Sequence, residues 1–262
     1  MDLGLTDKRA IVLAGTRGLG SGVARALCAE GVEVMICGRS GSADAARDMS
    51  RDAAQGGLVH GLDCDVYDRA ALDAFLDQAL AKLERVDILV LNGGGPPPGP
   101  AAGTDAAQWE LWFGRMFANL VHAANRCVPA MRERGWGRLL TIASSAAIQP
   151  LENMGLSNSI RAGLLAWNKT LALEVAADGV NCNVLLPGRI DTERVQQLDA
   201  ANAERLGLSV EQVQQQALQG IPARRYGSAQ EFGDMGAFLC SSRASYVTGS
   251  AVRVDGGLIK AI

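Results

Sequence analysis

The chain predicts a doubly wound α/β sandwich, one parallel sheet with helices on both faces. Short apolar runs alternate with longer stretches of helical periodicity along all 262 residues. The apolar runs are near-continuous Val, Ile and Leu, which suits strands buried on both faces of a parallel sheet. Right-handed crossovers between such strands place helices on either side.

Taken in order, strands are expected over residues 10–13, 32–37, 59–63, 88–91, 138–143, 181–186 and 251–254. That makes a seven-stranded sheet. Between them, ARALCAE (24–30), AALDAFLDQALAKLE (70–84) and AGLLAWNKTLALEVA (162–176) space apolar residues three and four apart, as helices do. The proline-rich PPPGPAAG (96–103) reads as a stiff surface loop after the fourth strand. Residues 192–220, rich in Glu and Gln, read as a helical lid insertion outside the sheet. With no internal repeat and no linker, residues 1–262 form one domain.

Composition excludes several classes. A net charge of −3 gives no electrostatic footprint for nucleic acid. No apolar run approaches the ~18 residues of a membrane span, and MDLGLTDKRA lacks a signal-peptide core. The six cysteines (28, 37, 64, 127, 182 and 240) are scattered, without zinc spacing, so no metal site is expected. They read as buried thiols in a reducing, cytoplasmic setting.

The first motif is LAGTRGLG (13–20), which follows the first strand and opens the first helix. Backbone N–H groups at a helix start, with the helix dipole behind them, suit a pyrophosphate. Gly15, Thr16, Arg17, Gly18, Leu19 and Gly20 are the residues of that cradle. At the end of the second strand, ICGRS places Gly38 where an acidic residue would bind the ribose hydroxyls and repel a 2′-phosphate. Arg39 can instead pair with that phosphate, and Arg17 adds a second charge. Both features favour NADP(H).

Further segments carry a family resemblance. CDV (Cys64, Asp65, Val66), LNGGG with Asn92, Gly93 and Gly94, PGRIDT (187–192) and YVTGSAVRVDGG (246–257) resemble motifs of the short-chain dehydrogenase/reductase family. The likeness runs from residue 5 to residue 257. Ala14 and Leu91 depart from the family's Gly and Asn. The resemblance implies a Rossmann-type fold in which Asp65 and Val66 contact adenine. It also implies that Pro187, Gly188, Ile190 and Thr192 hold the nicotinamide end.

The catalytic positions are where the likeness breaks. The family uses Tyr-x-x-x-Lys, in which the phenol protonates a carbonyl and the lysine lowers its pKa. A serine steadies the substrate, and an asparagine anchors water. Ser144 fills the serine position, but Ser157 stands for the tyrosine, Arg161 for the lysine and Met116 for the asparagine. An aliphatic hydroxyl is a far weaker acid than a phenol, and guanidinium keeps its proton at neutral pH. Asn119, one turn on, is a candidate replacement for the asparagine. Glu152, if buried, is a candidate acid. Tyr67, Tyr226 and Tyr246 sit in segments that look structural or adenine-proximal, and His60 and His122 look structural.

Three readings stay open. One is an NADP(H)-dependent carbonyl reductase, resembling 3-oxoacyl-carrier-protein reductases. Its proton donor would be non-standard, either Glu152 or water held by Ser144 and Ser157. The second is a catalytically degenerate NADP(H)-binding sensor or assembly protein. The third is a non-redox lyase. Halohydrin dehalogenases place Arg at the lysine position but keep the tyrosine and lose the glycine loop, the reverse of this chain. The resemblance further implies a homotetramer or homodimer packed through helices 115–134 and 157–178. The expected substrate is a small carbonyl or hydroxyl compound, in an apolar pocket lined by Trp109, Trp112 and Met154.

Overall fold

The computed structural model describes residues 2–53 and 56–261. Residues 1, 54, 55 and 262 of the expected domain lie outside the described residues. Seven strands form one sheet: β1 (Arg9–Val12), β2 (Glu33–Gly38), β3 (Leu58–Asp63), β4 (Ile88–Leu91), β5 (Gly137–Ile142), β6 (Val180–Pro187) and β7 (Ala251–Val254). Their order is β3-β2-β1-β4-β5-β6-β7, and every pairing is parallel. Each boundary falls within one residue of the expected one.

Period-two alternation splits the core into two layers. Ile11 and Leu13 face a cluster with α3 (Arg69–Leu83), α5 (Asn119–Glu133) and α6 (Gly155–Val175). Ala10 and Val12 face the other, with α1 (Gly18–Ala29), α2 (Ser42–Arg51) and α9 (Ala229–Cys240). Fully burying one Leu or Phe side chain contributes roughly 1.5–3 kcal/mol. Helices α1 and α9 cross at backbone distance. A methyl on Gly22 would strike the Ala229 carbonyl, and one on Gly233 would strike the Gly22 carbonyl.

The remaining helices frame the crevice. After β4 come α4 (Ala106–Phe113) and a π-helical turn, Gly114–Ala118, which runs into α5. The expected insertion consists of α7 (Glu193–Leu206) and α8 (Val210–Gly220), outside the sheet. Asp199 of α7 is fully buried, paired with Arg189 and accepting from the Tyr226 hydroxyl at 2.9 Å. That pair pins the lid helix to the loop after β6. Among the described residues, no helix is long and apolar enough to cross a membrane.

Candidate active site

The strand order reverses direction between β1 and β4, and ligands of open α/β sheets bind at such a switch point. Here the loops after the two strands are tied together. The Asn92 amide donates to the Ala14 carbonyl at 3.1 Å. Ala14 takes φ +48°, the left-handed conformation that the family's glycine adopts without cost. Position 20 admits only glycine, because a methyl there would sit 2.6 Å from the Asn92 amide nitrogen.

Helix α1 begins at Gly18 with Arg17 at its N-cap, and no side chain caps it. Several other helices are capped: Asp68 caps α3, Asp105 α4, Thr192 α7, Ser209 α8 and Ser228 α9. The free N–H groups of α1 therefore remain available to an anion. Gly38 packs against Thr16, so that any side chain at position 38 would collide with the Thr16 hydroxyl. An acidic residue cannot be placed there without moving the glycine loop. Arg39 is exposed beside it. Arg17 has a competitor, since its guanidinium pairs with Glu193 of α7 at 2.9 Å across the mouth of the crevice. Both partners are open to water, so this pair is weak.

On the adenine side, Asp65 accepts from the Tyr67 amide at 3.0 Å, and Val66 is buried. On the other side, Gly188 packs against the Asp255 backbone. Residues 189–191 are pinned by a bridge between Ile190 and Gly227. Thr192 accepts from the Val195 amide and so starts α7.

The catalytic corner holds Ser144, Ser157 and Arg161. Ser144 lies two residues past β5 and accepts from the Ala146 amide at 3.1 Å. Ser157 is buried on α6, 5% exposed, and its hydroxyl makes no hydrogen bond among the described residues. Arg161 is a staple: it donates to the Ala143 carbonyl at 2.9 Å and to the Gly94 carbonyl at 3.0 Å. One guanidinium thus joins the loops that follow β4 and β5. Burial lowers its pKa, with Arg194 adding to the effect and Tyr67 opposing it.

Two candidate replacements are not built. Asn119 is buried under β3, its amide donating to the Val66 carbonyl and accepting from Arg69, both at 2.9 Å. It ties the loop after β3 to the start of α3 and does not line the cavity beside Arg161. Glu152 is exposed on the loop before α6, so the buried carboxyl acid is absent. Lys169 lies far along α6, against Gly249. The histidines also have structural partners: His60 meets Glu33 at 2.9 Å and His122 meets Asp73 at 2.5 Å.

Tyr67 is the residue that sequence reasoning passed over. Its ring meets Trp112 edge-on at 5.7 Å, and its hydroxyl is buried with no hydrogen-bond partner. It lines a narrow cavity with Gly94, Arg115, Met116 and Arg161. Burial pushes the phenol pKa up, while the fields of Arg161, Arg115 and Arg194 pull it back. The π-helical turn places Met116 at this cavity, and such turns often mark functional sites. A tyrosine next to Asp65 was the only signal in the sequence; its approach to Arg161 depends on how β3 and α6 come together.

The crevice and fold define a Rossmann-type dinucleotide-binding protein. A family model described as enoyl-(acyl carrier protein) reductase matches residues 13–259. The 3-oxoacyl-[acyl-carrier-protein] reductase FabG of Salmonella typhimurium is 32% identical over 253 residues, 96% of this chain and 97% of that protein. D-beta-hydroxybutyrate dehydrogenase of Cupriavidus necator is 29% identical over 256 residues, 97% of this chain and 99% of that protein. Among solved structures, L-sorbose reductase from Gluconobacter frateurii, complexed with NADPH and L-sorbose, superimposes with a TM-score of 0.91 at 29% identity over the full length of both chains. This chain belongs to the short-chain dehydrogenase/reductase family.

Proposed function

We propose that the protein is an NADP(H)-dependent oxidoreductase, 3-oxoacyl-reductase-like, that acts on a small carbonyl or hydroxyl compound with a non-standard proton source. The observation that carries this reading is the pairing of an uncapped α1 N-terminus with a β2 end where Gly38 packs on Thr16 and Arg39 stands free. These residues fit a dinucleotide: an open cradle for the diphosphate and a cation, not a carboxylate, for a 2′-phosphate. Residues 15–20, Arg39, Asp65, Val66, 92–94, Pro187, Gly188, Ile190 and Thr192 would hold it. When bound, the reduced nicotinamide supplies hydride.

Ser144 and Ser157 are the hydroxyls available to hold the substrate oxygen or a water. Arg161 keeps its proton and serves as a fixed charge rather than as a relay. The six cysteines are free and buried, with those at 127, 182 and 240 pushed up to about 12 by burial. They suit a reducing cytoplasm. Leu173 on α6 is 74% exposed, and Leu111 and Phe113 are exposed on and beside α4. These apolar surfaces support a homotetramer or homodimer through the α4–α6 region.

The test is a fluorescence titration with NADPH and then NADH, followed by a carbonyl panel. Micromolar NADPH binding, tighter than NADH by tenfold or more, is expected. Equal or absent binding of both would remove the reading.

A further inference from the structure

Two arginines, Arg115 and Arg161, meet at the catalytic corner without a carboxylate paired to either. Arg161 bridges two backbone carbonyls. The Arg115 guanidinium lies 5.3 Å from the Trp112 ring centre and 5.9 Å from that of Tyr67. Among the described residues neither joins an ion pair, whereas Arg9, Arg17, Arg126 and Arg189 all do. Asp65, on the segment after β3, already accepts from the Tyr67 amide.

The Tyr67 hydroxyl adds a donor to this group. It is buried and unpartnered, beside Gly94, where a methyl would stand 2.9 Å from it. A buried polar group without a partner costs about 1–3 kcal/mol, so its retention asks for an occupant. The cavity that it shares with Arg115 and Arg161 has a volume of about 10 Å³. That is room for about one water-sized atom. Its other walls are apolar: Met116, Leu120 and Leu164. One donor, two unpaired guanidinium groups and space for one oxygen describe a socket for an anionic oxygen.

We propose that Arg115, Arg161 and Tyr67 bind the carboxylate of the substrate, so that the protein acts on small oxo acids and their hydroxy acid products. This inference rests on the oxidoreductase reading above. One carboxylate oxygen enters the cavity between Tyr67 and the guanidinium groups, and the rest of the substrate lies in the open crevice beneath α7. The planar guanidinium fork suits such a group, and the low-dielectric wall of Met116, Leu120 and Leu164 strengthens the attraction. A neutral isostere would leave the cations and the phenol unmatched.

The phosphates of the dinucleotide are a second source of anionic oxygen, and the experiment separates the two. Acetoacetate and methyl acetoacetate are titrated calorimetrically against the full-length protein in saturating NADP⁺, which cannot reduce either. The expected result is acid binding at least about tenfold tighter than the ester, as charge-assisted hydrogen bonds give. Arg115→Gln and Tyr67→Phe should each remove most of that preference with NADP⁺ affinity unchanged, and Arg115→Lys should retain part of it. Equal affinity for acid and ester would overturn the proposal. So would Arg115→Gln or Tyr67→Phe weakening NADP⁺ while sparing acetoacetate, which would assign the socket to the cofactor. If the wild-type protein binds no NADP⁺ yet still prefers the acid, the anion site stands and the oxidoreductase reading falls.

Discussion

Replacing Arg161 by Lys restores the family's residue, and the structure predicts that it weakens this protein. The guanidinium makes two hydrogen bonds that diverge to the Ala143 and Gly94 carbonyls, at 2.9 and 3.0 Å. A single ammonium on a shorter head can keep at most one of them. A hydrogen bond from a charged donor contributes about 1.5–3 kcal/mol. The Gly94 end is open to water, which can replace the donor there, so the loss falls near the lower figure, about 1.5 kcal/mol. At about 2–4 °C per kcal/mol for a chain of this size class, Tm drops by about 3–6 °C. Arg161→Met, which loses both bonds, should fall further. Thermal unfolding followed by far-ultraviolet circular dichroism measures both. If the lysine and methionine variants melt with the wild type, the staple carries no weight and Arg161 must be kept for another reason.

Other outcomes follow from separate parts of the molecule. Ala14 holds φ +48°, a conformation that costs a non-glycine residue about 1–2 kcal/mol, so Ala14→Gly should raise Tm by a few degrees in the same melts. Glu231 caps α9 and pairs with Arg225, which holds its carboxyl down at about 2 against an ordinary 4.5. Its contribution to stability is complete above pH 4.5 and is lost as pH falls from 4.5 toward 2. Glu231→Gln should therefore flatten the dependence of the urea midpoint on pH across that window, and an unchanged slope would count against the cap. Leu173→Asp on the exposed face of α6 should lower the mass measured by light scattering, and an unaltered mass would place the assembly contact elsewhere.

The fold was legible because it is written in local terms. Runs such as ILVL and the VLLP of VNCNVLLP are apolar at every step, which suits a strand buried on both faces, so the β4 and β6 boundaries could be placed to within one residue. The glycine turn was legible for the same reason, since strand, turn and helix are contiguous. The catalytic corner was not. Residues 67, 115 and 161 lie on three separate segments, and nothing in their spacing says that they meet. Sequence position pointed to Asn119 as a water anchor, yet its amide bonds Val66 and Arg69, away from the cavity beside Arg161, a tertiary demand that no local pattern shows. Glu152 fails for the opposite reason, because its loop leaves it in water.

The loss of the tyrosine and lysine looks fatal only if hydride and proton must move together. A carbonyl whose carbon accepts hydride becomes an alkoxide as its π pair moves to oxygen, and fixed positive charge can stabilise that oxygen before any proton arrives. Arg161 supplies such charge, and it cannot be consumed by giving up its proton. On the oxidoreductase reading, protonation then follows from solvent through water near Ser144 and Ser157, outside the hydride step. Kinetics distinguish the two orders. With a deuterated nicotinamide the primary isotope effect should be expressed, while the solvent deuterium effect on the same step stays close to one. A large solvent effect, multiplicative with the hydride effect, would mean concerted transfer and an acid at this corner. Tyr67→Phe would then be the first variant to examine, because Tyr67 is the only phenol that lines the cavity beside Arg161.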